Sequence, residues 1–210
     1  TGKTTVARIM GNIFYSLGVL PSNRLLEVTR KDLVEGYVGQ TATKTARVVK
    51  RAVGGVFFID EAYSLMGDNF GQEATNTILP MLLDYKGKMV CIAAGYPREI
   101  RQWIDTNSGL ESRFTKVIHF EDYNPDELAQ IFRMKAKKDK LTLTPEAENA
   151  MRVYFTDLYN RRERNFANAR EVNNYFDRVK KNQSSRLRHE MERPDFDPAS
   201  YSILLPEDMG

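Results

Sequence analysis

The run VFFI at residues 56–59, followed directly by Asp60 and Glu61, constrains the fold of this chain more than any other feature. Four consecutive apolar residues between Gly54-Gly55 and an acidic pair predict a strand buried on both faces of a parallel sheet. The acidic pair would then lie at the edge of that sheet. A simpler interpretation is an acidic cap at the start of the next helix, where Asp is favoured.

The first 123 residues are predicted to alternate between helices and strands. Strands are expected at residues 25–29, 56–59, 89–94 and 116–120. Helices are expected at residues 4–17, 42–53, 73–85 and 97–105, with room for one helical turn in the loop 31–41. Pro80 would either kink the third helix or mark a later start for it. This alternation predicts an α/β fold with a doubly wound parallel sheet.

The pattern changes after Tyr123. Asn124-Pro125 and Thr144-Pro145 each combine a capping residue with proline at the first helical position, which predicts two helix starts. Helices are expected at residues 126–138, 146–159 and 168–191, and no strand signal recurs before the end of the chain. We therefore predict an α/β domain at residues 1–123, a small helical domain at 124–193, and a tail at 194–210.

Composition excludes some classes of protein. No apolar run approaches 18 residues, so no membrane-spanning helix is expected. The net charge of +3 is mild, whereas a surface that binds nucleic acid usually shows a dense basic patch. The single cysteine, Cys91, cannot form an internal disulfide, and this favours a reducing, cytoplasmic setting.

The chain begins with Thr1-Gly2-Lys3-Thr4-Thr5, the second half of the phosphate-binding pattern G-x-x-x-x-G-K-[ST]. In that pattern the lysine reaches the β and γ phosphates of ATP and the next hydroxyl ligates Mg²⁺. Lys3 and Thr4 are the candidates for these roles, with Gly2 and Thr5 as further ATP contacts. The first half of the loop and its strand are absent, so residues 1–210 alone are expected to bind ATP poorly and to be monomeric.

Together with this phosphate-binding pattern, the acidic pair Asp60 and Glu61 indicates a catalytic function. Asp60 is predicted to hold Mg²⁺ through water, and Glu61 to polarise the water that attacks the γ-phosphate as a general base. Together with Lys3, the pair predicts an ATP hydrolysis site.

Residues Tyr37, Val38 and Gly39 lie in a polar loop between two elements of the α/β domain. A projecting tyrosine offers a large contact area with little preference for sequence, which suits gripping a polypeptide in the central pore of a ring. The alternative is a tyrosine half-buried in a turn.

Arg113, in the segment GLESRF, is the candidate for an arginine finger that enters the nucleotide site of a neighbouring subunit. A solvated surface arginine is the alternative, and Arg98 and Arg101 compete for the role. Arg170, in the segment NAR, is the candidate for an arginine that contacts nucleotide in its own subunit. It could also be one more basic residue after Arg161, Arg162 and Arg164.

With these motifs in this order, the chain resembles the CbxX/CfqX family of AAA+ ATPases. The segments that carry the resemblance are TGKTTVARIMG, DLVEGYVGQTATKT, GGVFFIDEAYSL, IAAGYPREI, NSGLESRF and NAREVNN. The resemblance implies a P-loop ATPase domain with a helical lid, binding of ATP and Mg²⁺, a homo-hexameric ring, and threading of a client protein, with Rubisco as one possible client. The same roles are implied for Lys3, Thr4, Asp60, Glu61, Tyr37, Arg113 and Arg170.

Two features depart from the family pattern: the phosphate loop is incomplete, and no polar sensor is obvious near Gly95 and Tyr96. The predicted function is ATP-driven protein remodelling. The alternatives are a nucleotide-dependent assembly scaffold that does no processive work, and an AAA+ protein that acts on nucleic acid.

Overall fold

The computed structural model of this protein forms two compact units, Gly2–His119 and Phe120–Gly210. It describes residues 2–37, 39–162, 166–192 and 197–210. No helix within these ranges is both long and apolar enough to cross a membrane.

The first unit is a parallel sheet with helices. Its strands are β1 (Leu25–Val28), β2 (Val56–Ile59) and β3 (Val90–Ala93). Its helices are α1 (Lys3–Ser16), α2 (Arg30–Leu33), α3 (Gln40–Ala52), α4 (Asn69–Asp84), α5 (Pro97–Asp105) and α6 (Ser108–Arg113), with a 3-10 helix at Ala62–Leu65.

The central strand is β2, which pairs in parallel with β1 on one side and with β3 on the other. All four of its residues are fully buried, as the continuous apolar run predicted. Because all three strands point the same way, the residues that follow each of them meet at one edge of the sheet.

Helix α4 begins at Asn69 and continues through Pro80, so the alternative of a late start at Pro80 is wrong. The helix starts early because the carboxylate of Asp68 accepts a hydrogen bond from the Gly71 amide at 2.8 Å and caps the first turn. Gly71 is required here, since a Cβ would lie 2.3 Å from the carbonyl oxygen of Leu65.

The strand predicted at residues 116–120 does not form; this prediction is wrong. Val117 is 70% exposed and Ile118 is 57% exposed, and the segment pairs with none of the described strands. An extended segment is stabilised by a neighbouring strand that accepts and donates its main-chain hydrogen bonds, and the segment has no such neighbour among the described residues. Helix α6, which precedes the segment, was not predicted.

The second unit is a helical bundle with a small strand pair. Its helices are α7 (Pro125–Lys138), α8 (Pro145–Asn160) and α9 (Ala169–Glu190), and its strands are β4 (Thr142–Leu143) and β5 (Ile203–Leu204), with 3-10 helices at Pro198–Ser202 and Pro206–Met209. Both predicted caps form: Asn124 makes a reciprocal capping box with Glu127, and the Thr144 hydroxyl accepts from the Ala147 amide.

The end of the chain packs into this second unit. Strand β5 pairs in parallel with β4. The unit therefore contains a strand pair, whereas a purely helical domain was predicted. Asp208 is 1% exposed and forms a two-point ion pair with Arg186 of α9, at 3.0 Å for each contact. The Tyr175 hydroxyl donates to the carbonyl oxygen of Met209 at 3.1 Å. The boundary predicted between a helical domain and a tail stays a prediction, but residues 197–210 pack against the helices of the unit.

Candidate active site

Helix α1 runs against the sheet in a direction that brings its first turn to the carboxyl end of β2. A Cβ built on Gly11 would lie 3.2 Å from the side chain of Val56, which begins β2. Ala7, one turn earlier in α1, packs with Phe58, near the end of the same strand. Since the rise of a helix is about 1.5 Å per residue, Lys3 lies one further turn beyond Ala7, toward the edge where β2 ends.

The start of α1 has the features of an anion-binding helix terminus. Gly2 precedes the helix with φ 72°, a left-handed conformation that glycine adopts without strain. The first turn carries no acidic side chain, so its amides and the positive end of the helix dipole remain available to phosphate. The Thr4 hydroxyl donates to a carboxylate oxygen of Glu27 at 3.3 Å. Thr5 is exposed on the same turn.

Asp60 and Glu61 leave the sheet directly at the end of β2. The Asp60 amide donates to the Val28 carbonyl at 2.8 Å, which extends the parallel ladder by one residue and fixes this carboxylate at the sheet edge. Glu61 is exposed and has φ 51° and ψ 45°, a left-handed conformation that costs a non-glycine residue about 1–3 kcal/mol.

The alternative for the acidic pair is that it caps the next helix. Glu61 occupies the residue before the 3-10 helix Ala62–Leu65, but its side chain makes no capping hydrogen bond. The strained turn at Glu61 therefore leaves the carboxylate available to a ligand. The catalytic role of Glu61 stays a prediction.

Two tyrosines border this edge, and neither had an assigned role from the sequence. The Lys3 ammonium lies 5.2 Å from the centre of the Tyr96 ring, within the range of a cation–π contact. The Tyr63 ring is 6.2 Å from the Tyr96 ring. Burial, and then the nearby Glu61 carboxylate, raise the pKa of the Tyr63 hydroxyl. Strand β3 ends at Ala93, and Tyr96 follows soon after it in the chain, which is the sequence signal that places this tyrosine here.

Gly95 explains why no polar sensor is obvious after β3. A Cβ at this position would lie 2.7 Å from the Tyr63 ring and 2.8 Å from the side chain of Ile100. A side chain at residue 95 would therefore require Tyr63 or Ile100 to move, and Tyr96 is the next residue along the chain.

The chemistry of the donor set fits Mg²⁺. Thr4 offers a hydroxyl and Asp60 a carboxylate, and Mg²⁺ is usually held by one or two such oxygen ligands together with substrate phosphates and water. Within the described residues, no cluster of three or more His, Cys, Asp or Glu side chains could hold a metal ion by itself.

Arg113 ends helix α6, and its guanidinium donates to main-chain oxygens of its own chain. Its Nε donates to the Leu79 carbonyl at 3.0 Å, and its Nη1 donates to the Gly109 carbonyl at 2.9 Å. Of the competing arginines, Arg101 pairs with Asp105 at 3.0 Å. Arg98 is exposed, with no hydrogen bond or ion pair to any described residue.

Tyr37 projects from the loop between α2 and α3. It is 75% exposed, so the alternative of a half-buried tyrosine is wrong. The base of the loop is braced, because the Thr41 hydroxyl accepts from the Glu35 amide at 3.0 Å and donates to the Glu35 carbonyl at 3.3 Å. Gly39 has φ 80°, and Val38 lies outside the described residues.

Arg170 lies in the second unit, in the first turn of α9, and is exposed. Of the basic residues that competed with it, Arg161 pairs with Asp157 at 2.6 Å and Arg162 lies 3.7 Å from Asp122, whereas Arg164 lies outside the described residues. The side chain of Arg170 forms no hydrogen bond or ion pair with any residue in the described ranges.

Comparison with known proteins identifies two family matches. Residues 1–122 match the ATPase family associated with various cellular activities (AAA), and residues 124–210 match the AAA lid domain. These matches confirm the predicted fold class, a parallel-sheet P-loop ATPase domain followed by a lid.

Curated relatives cover most of the chain. It is 42% identical over 192 residues to the chloroplastic ribulose bisphosphate carboxylase/oxygenase activase of Cyanidioschyzon merolae, an alignment that covers 89% of this chain and 64% of the relative. It is 40% identical over 213 residues to protein CbbX of Cereibacter sphaeroides, covering 100% of this chain and 68% of the relative. The chain thus spans about two thirds of the length of these relatives.

A solved structure shows the same fold at low sequence identity. The chain superposes on RuvB of Thermotoga maritima with a TM-score of 0.65 and 14% identity, covering 100% of this chain and 56% of the other.

Proposed function

This chain belongs to the CbxX/CfqX family of AAA ATPases, and we propose that it hydrolyses ATP at the subunit interfaces of a homo-hexameric ring and pulls a client polypeptide through the central pore. The observation that carries the proposal is the meeting of two motifs at one sheet edge. Helix α1 brings Lys3 and Thr4 toward the point where β2 presents Asp60 and Glu61.

Each residue at this edge has a proposed task. The amides at the start of α1 bind phosphate oxygens, and Lys3 exchanges its contact with the Tyr96 ring for the β and γ phosphates. Thr4 and Asp60 hold Mg²⁺, which when bound neutralises phosphate charge. Glu61 accepts a proton from the attacking water, and its side chain is not engaged as a cap of the helix that follows.

The proposed ring supplies the remaining groups. Arg113 of one subunit stabilises charge on the γ-phosphate bound to its neighbour, and Arg170 contacts the nucleotide of its own subunit. Tyr37 is exposed on a braced loop, which supports its proposed role of gripping the client in the pore. A cytoplasmic location accords with a single cysteine and stays a prediction.

We propose Rubisco as the client, because one relative at 42% identity is a ribulose bisphosphate carboxylase/oxygenase activase. The test is recovery of activity by inhibited Rubisco, in the presence of ATP, with wild-type protein, Tyr37→Ala and Tyr37→Phe. Phe keeps the aromatic contact, so recovery is expected with wild type and Tyr37→Phe and should be lost with Tyr37→Ala. Equal recovery with all three proteins would remove Tyr37 from the mechanism.

The hydrolysis site is tested by steady-state ATP turnover of wild-type protein beside Glu61→Gln, with particle size measured in ATP by analytical ultracentrifugation. Loss of a general base is expected to reduce turnover by roughly 10²–10⁴-fold while ATP binding and ring assembly persist. Glu111→Gln is the matched control, because Glu111 is 69% exposed and lies 3.9 Å from its partner Arg101. Absence of turnover in the wild type, with Rubisco present, would favour the assembly scaffold.

A further inference from the structure

Asn168 is a buried polar residue whose side chain uses both of its functional groups. It is 6% exposed. Its Oδ1 accepts from the Tyr123 amide at 2.8 Å, and its Nδ2 donates to Asp122 Oδ1 at 2.7 Å and to the Phe166 carbonyl at 3.0 Å. Asn168 therefore fastens the start of α9 to residues 122 and 123, which lie immediately before α7 near the beginning of the second unit.

The position of Asn168 would predict a different set of contacts. It directly precedes α9, where an asparagine side chain normally caps the helix amides, yet it makes no capping hydrogen bond. Its backbone has φ 51° and ψ −122°, a conformation that a residue other than glycine adopts only with strain. Strain of this kind persists where surrounding contacts over-determine the conformation, and such residues cluster at functional sites.

The turn that Asn168 fixes leads directly to Arg170, two positions further along the chain. Arg170 lies in the first turn of α9, where the positive end of the helix dipole disfavours a cation. It is exposed, and none of the described residues offers its side chain a hydrogen bond or an ion pair. An arginine kept in this unfavourable place is available to an anion that is not part of the chain.

We propose that Asn168 is a positioning residue for Arg170. Two of its hydrogen bonds, with the Tyr123 amide and with Asp122, fix the start of α9 to the residues before α7, and the third, to the Phe166 carbonyl, fixes the turn that leads into the helix. This inference rests on the proposed function, in which the anion is the phosphate group of ATP.

The decisive variant is Asn168→Gly. Glycine adopts a positive φ without strain, so the backbone geometry is retained while all three side-chain hydrogen bonds are removed. Relief of strain opposes the loss of the hydrogen bonds, and the melting temperature should change little. The affinity for ATP, measured by isothermal titration calorimetry on the full-length protein, should fall roughly tenfold to a hundredfold because Arg170 is misplaced.

A charge exchange provides the matched control. In Asn168→Asp a carboxylate faces the carboxylate of Asp122, so ATP affinity should fall as in Asn168→Gly. In the double variant Asp122→Asn/Asn168→Asp, the new asparagine at residue 122 can donate to the new aspartate, and the aspartate still accepts from the Tyr123 amide. The hydrogen bond to the Phe166 carbonyl stays lost in this double variant, so affinity should recover in part. An affinity no higher than that of Asn168→Asp would contradict the proposed role of Asn168.

Combination with Arg170→Gln separates a positioning role from a structural one. If Asn168 acts through Arg170, the variants Arg170→Gln and Asn168→Gly/Arg170→Gln should bind ATP equally weakly. Additive losses of ATP affinity in the double variant would overturn the inference. So would a loss of affinity in Arg170→Gln with no loss in Asn168→Gly. Both outcomes leave the proposed function intact. No effect of Arg170→Gln on ATP affinity would instead overturn the proposed role of Arg170, and the inference with it.

Discussion

The Nε atom of Arg113 donates to the main-chain oxygen of Leu79 at 3.0 Å, across 34 positions of sequence. A second nitrogen, Nη1, donates to the Gly109 carbonyl at 2.9 Å and to the Ser112 hydroxyl at 3.0 Å. The guanidinium is thus fixed against α4 and α6. Its third nitrogen, Nη2, has no hydrogen-bond partner within the described residues, which leaves it available for the proposed contact with a phosphate.

Arg113→Lys should therefore be nearly as damaging as Arg113→Ala. A lysine has one nitrogen and cannot hold the Leu79 carbonyl and project a donor at the same time. Loss of a finger contributed in trans is expected to reduce turnover of the assembled ring by roughly 10³–10⁵-fold. The measurement is steady-state ATP hydrolysis at protein concentrations where the ring is assembled.

Arg101→Ala is the control for this series. Arg101 is 67% exposed and pairs only with exposed acidic residues, so its turnover should stay within about twofold of wild type. Full turnover in Arg113→Lys, or loss of turnover in Arg101→Ala, would show that the assignment of the arginine finger to Arg113 is wrong.

Lys44 is predicted to be required for client-coupled work. Its ammonium donates to the carbonyls of Lys31 at 2.9 Å and Val34 at 3.0 Å, and it pairs with Glu35 at 3.1 Å, so it braces the base of the loop that carries Tyr37. Lys44→Met should loosen this loop and lower client-coupled activity by about tenfold, since small misplacements of a contact residue are costly.

Basal ATP hydrolysis by Lys44→Met should stay near the wild-type rate, because Lys44 does not touch the nucleotide residues. Lys50→Met is the matched control: Lys50 is exposed on the same helix, α3, and should have no effect on either activity. Parallel loss of basal and client-coupled activity in Lys44→Met would indicate general damage to α3 instead.

The features predictable from the sequence are those set by near neighbours in the chain. The buried strand β2 and the caps at Asn124 and Thr144 depend on residues within a few positions, and all three formed. The segment 116–120 has an apolar pattern similar to a strand, but pairing is decided by what lies beside it, which the local pattern does not contain. The local pattern also could not predict the role of Tyr96, because its contact with Lys3 joins residues far apart in sequence.

Glu148 is expected to make the stability of the second unit depend on pH in the acid range. A hydrogen bond from Arg133, at 2.9 Å from Nε, holds the pKa of Glu148 below its ordinary value of 4.5. The folded state therefore binds this proton more weakly than the unfolded state, and the stabilisation is present above pH 4.5. It is lost as pH falls through the lowered pKa.

Glu148→Gln should accordingly reduce the free energy of unfolding by roughly 1 kcal/mol at neutral pH and by much less in strong acid. Glu146→Gln is the control, because both glutamates lie in the first turn of α8 and share its helix dipole. Denaturant titrations followed by far-ultraviolet circular dichroism at several pH values measure the difference. A constant gap between the two variants across the acid range would contradict the assignment.

The ion pair between Arg186 and Asp208 is predicted to hold the end of the chain in the second unit. Asp208 is 1% exposed and also accepts from the Leu205 amide at 2.8 Å, while the pKa of Arg186 is raised, first by its hydrogen bond to Asp208. Asp208→Asn keeps the shape but leaves Glu190, at 3.0 Å, as the close carboxylate partner of the guanidinium, and should cost about 1–3 kcal/mol of stability. Glu207→Gln is the control, because Glu207 is 66% exposed, lies 3.6 Å from the same guanidinium and should matter little.

The double variant Arg186→Met/Asp208→Leu tests whether the cost comes from the loss of one of the carboxylate partners of the Arg186 guanidinium. When both charged groups are replaced by apolar side chains of similar volume, stability is often restored or even increased. Denaturant unfolding of this double variant should therefore show a smaller loss than Asp208→Asn alone. A larger loss would mean that Asp208 acts mainly through the turn it caps at Leu205, since that hydrogen bond is removed in the double variant and retained in part by asparagine.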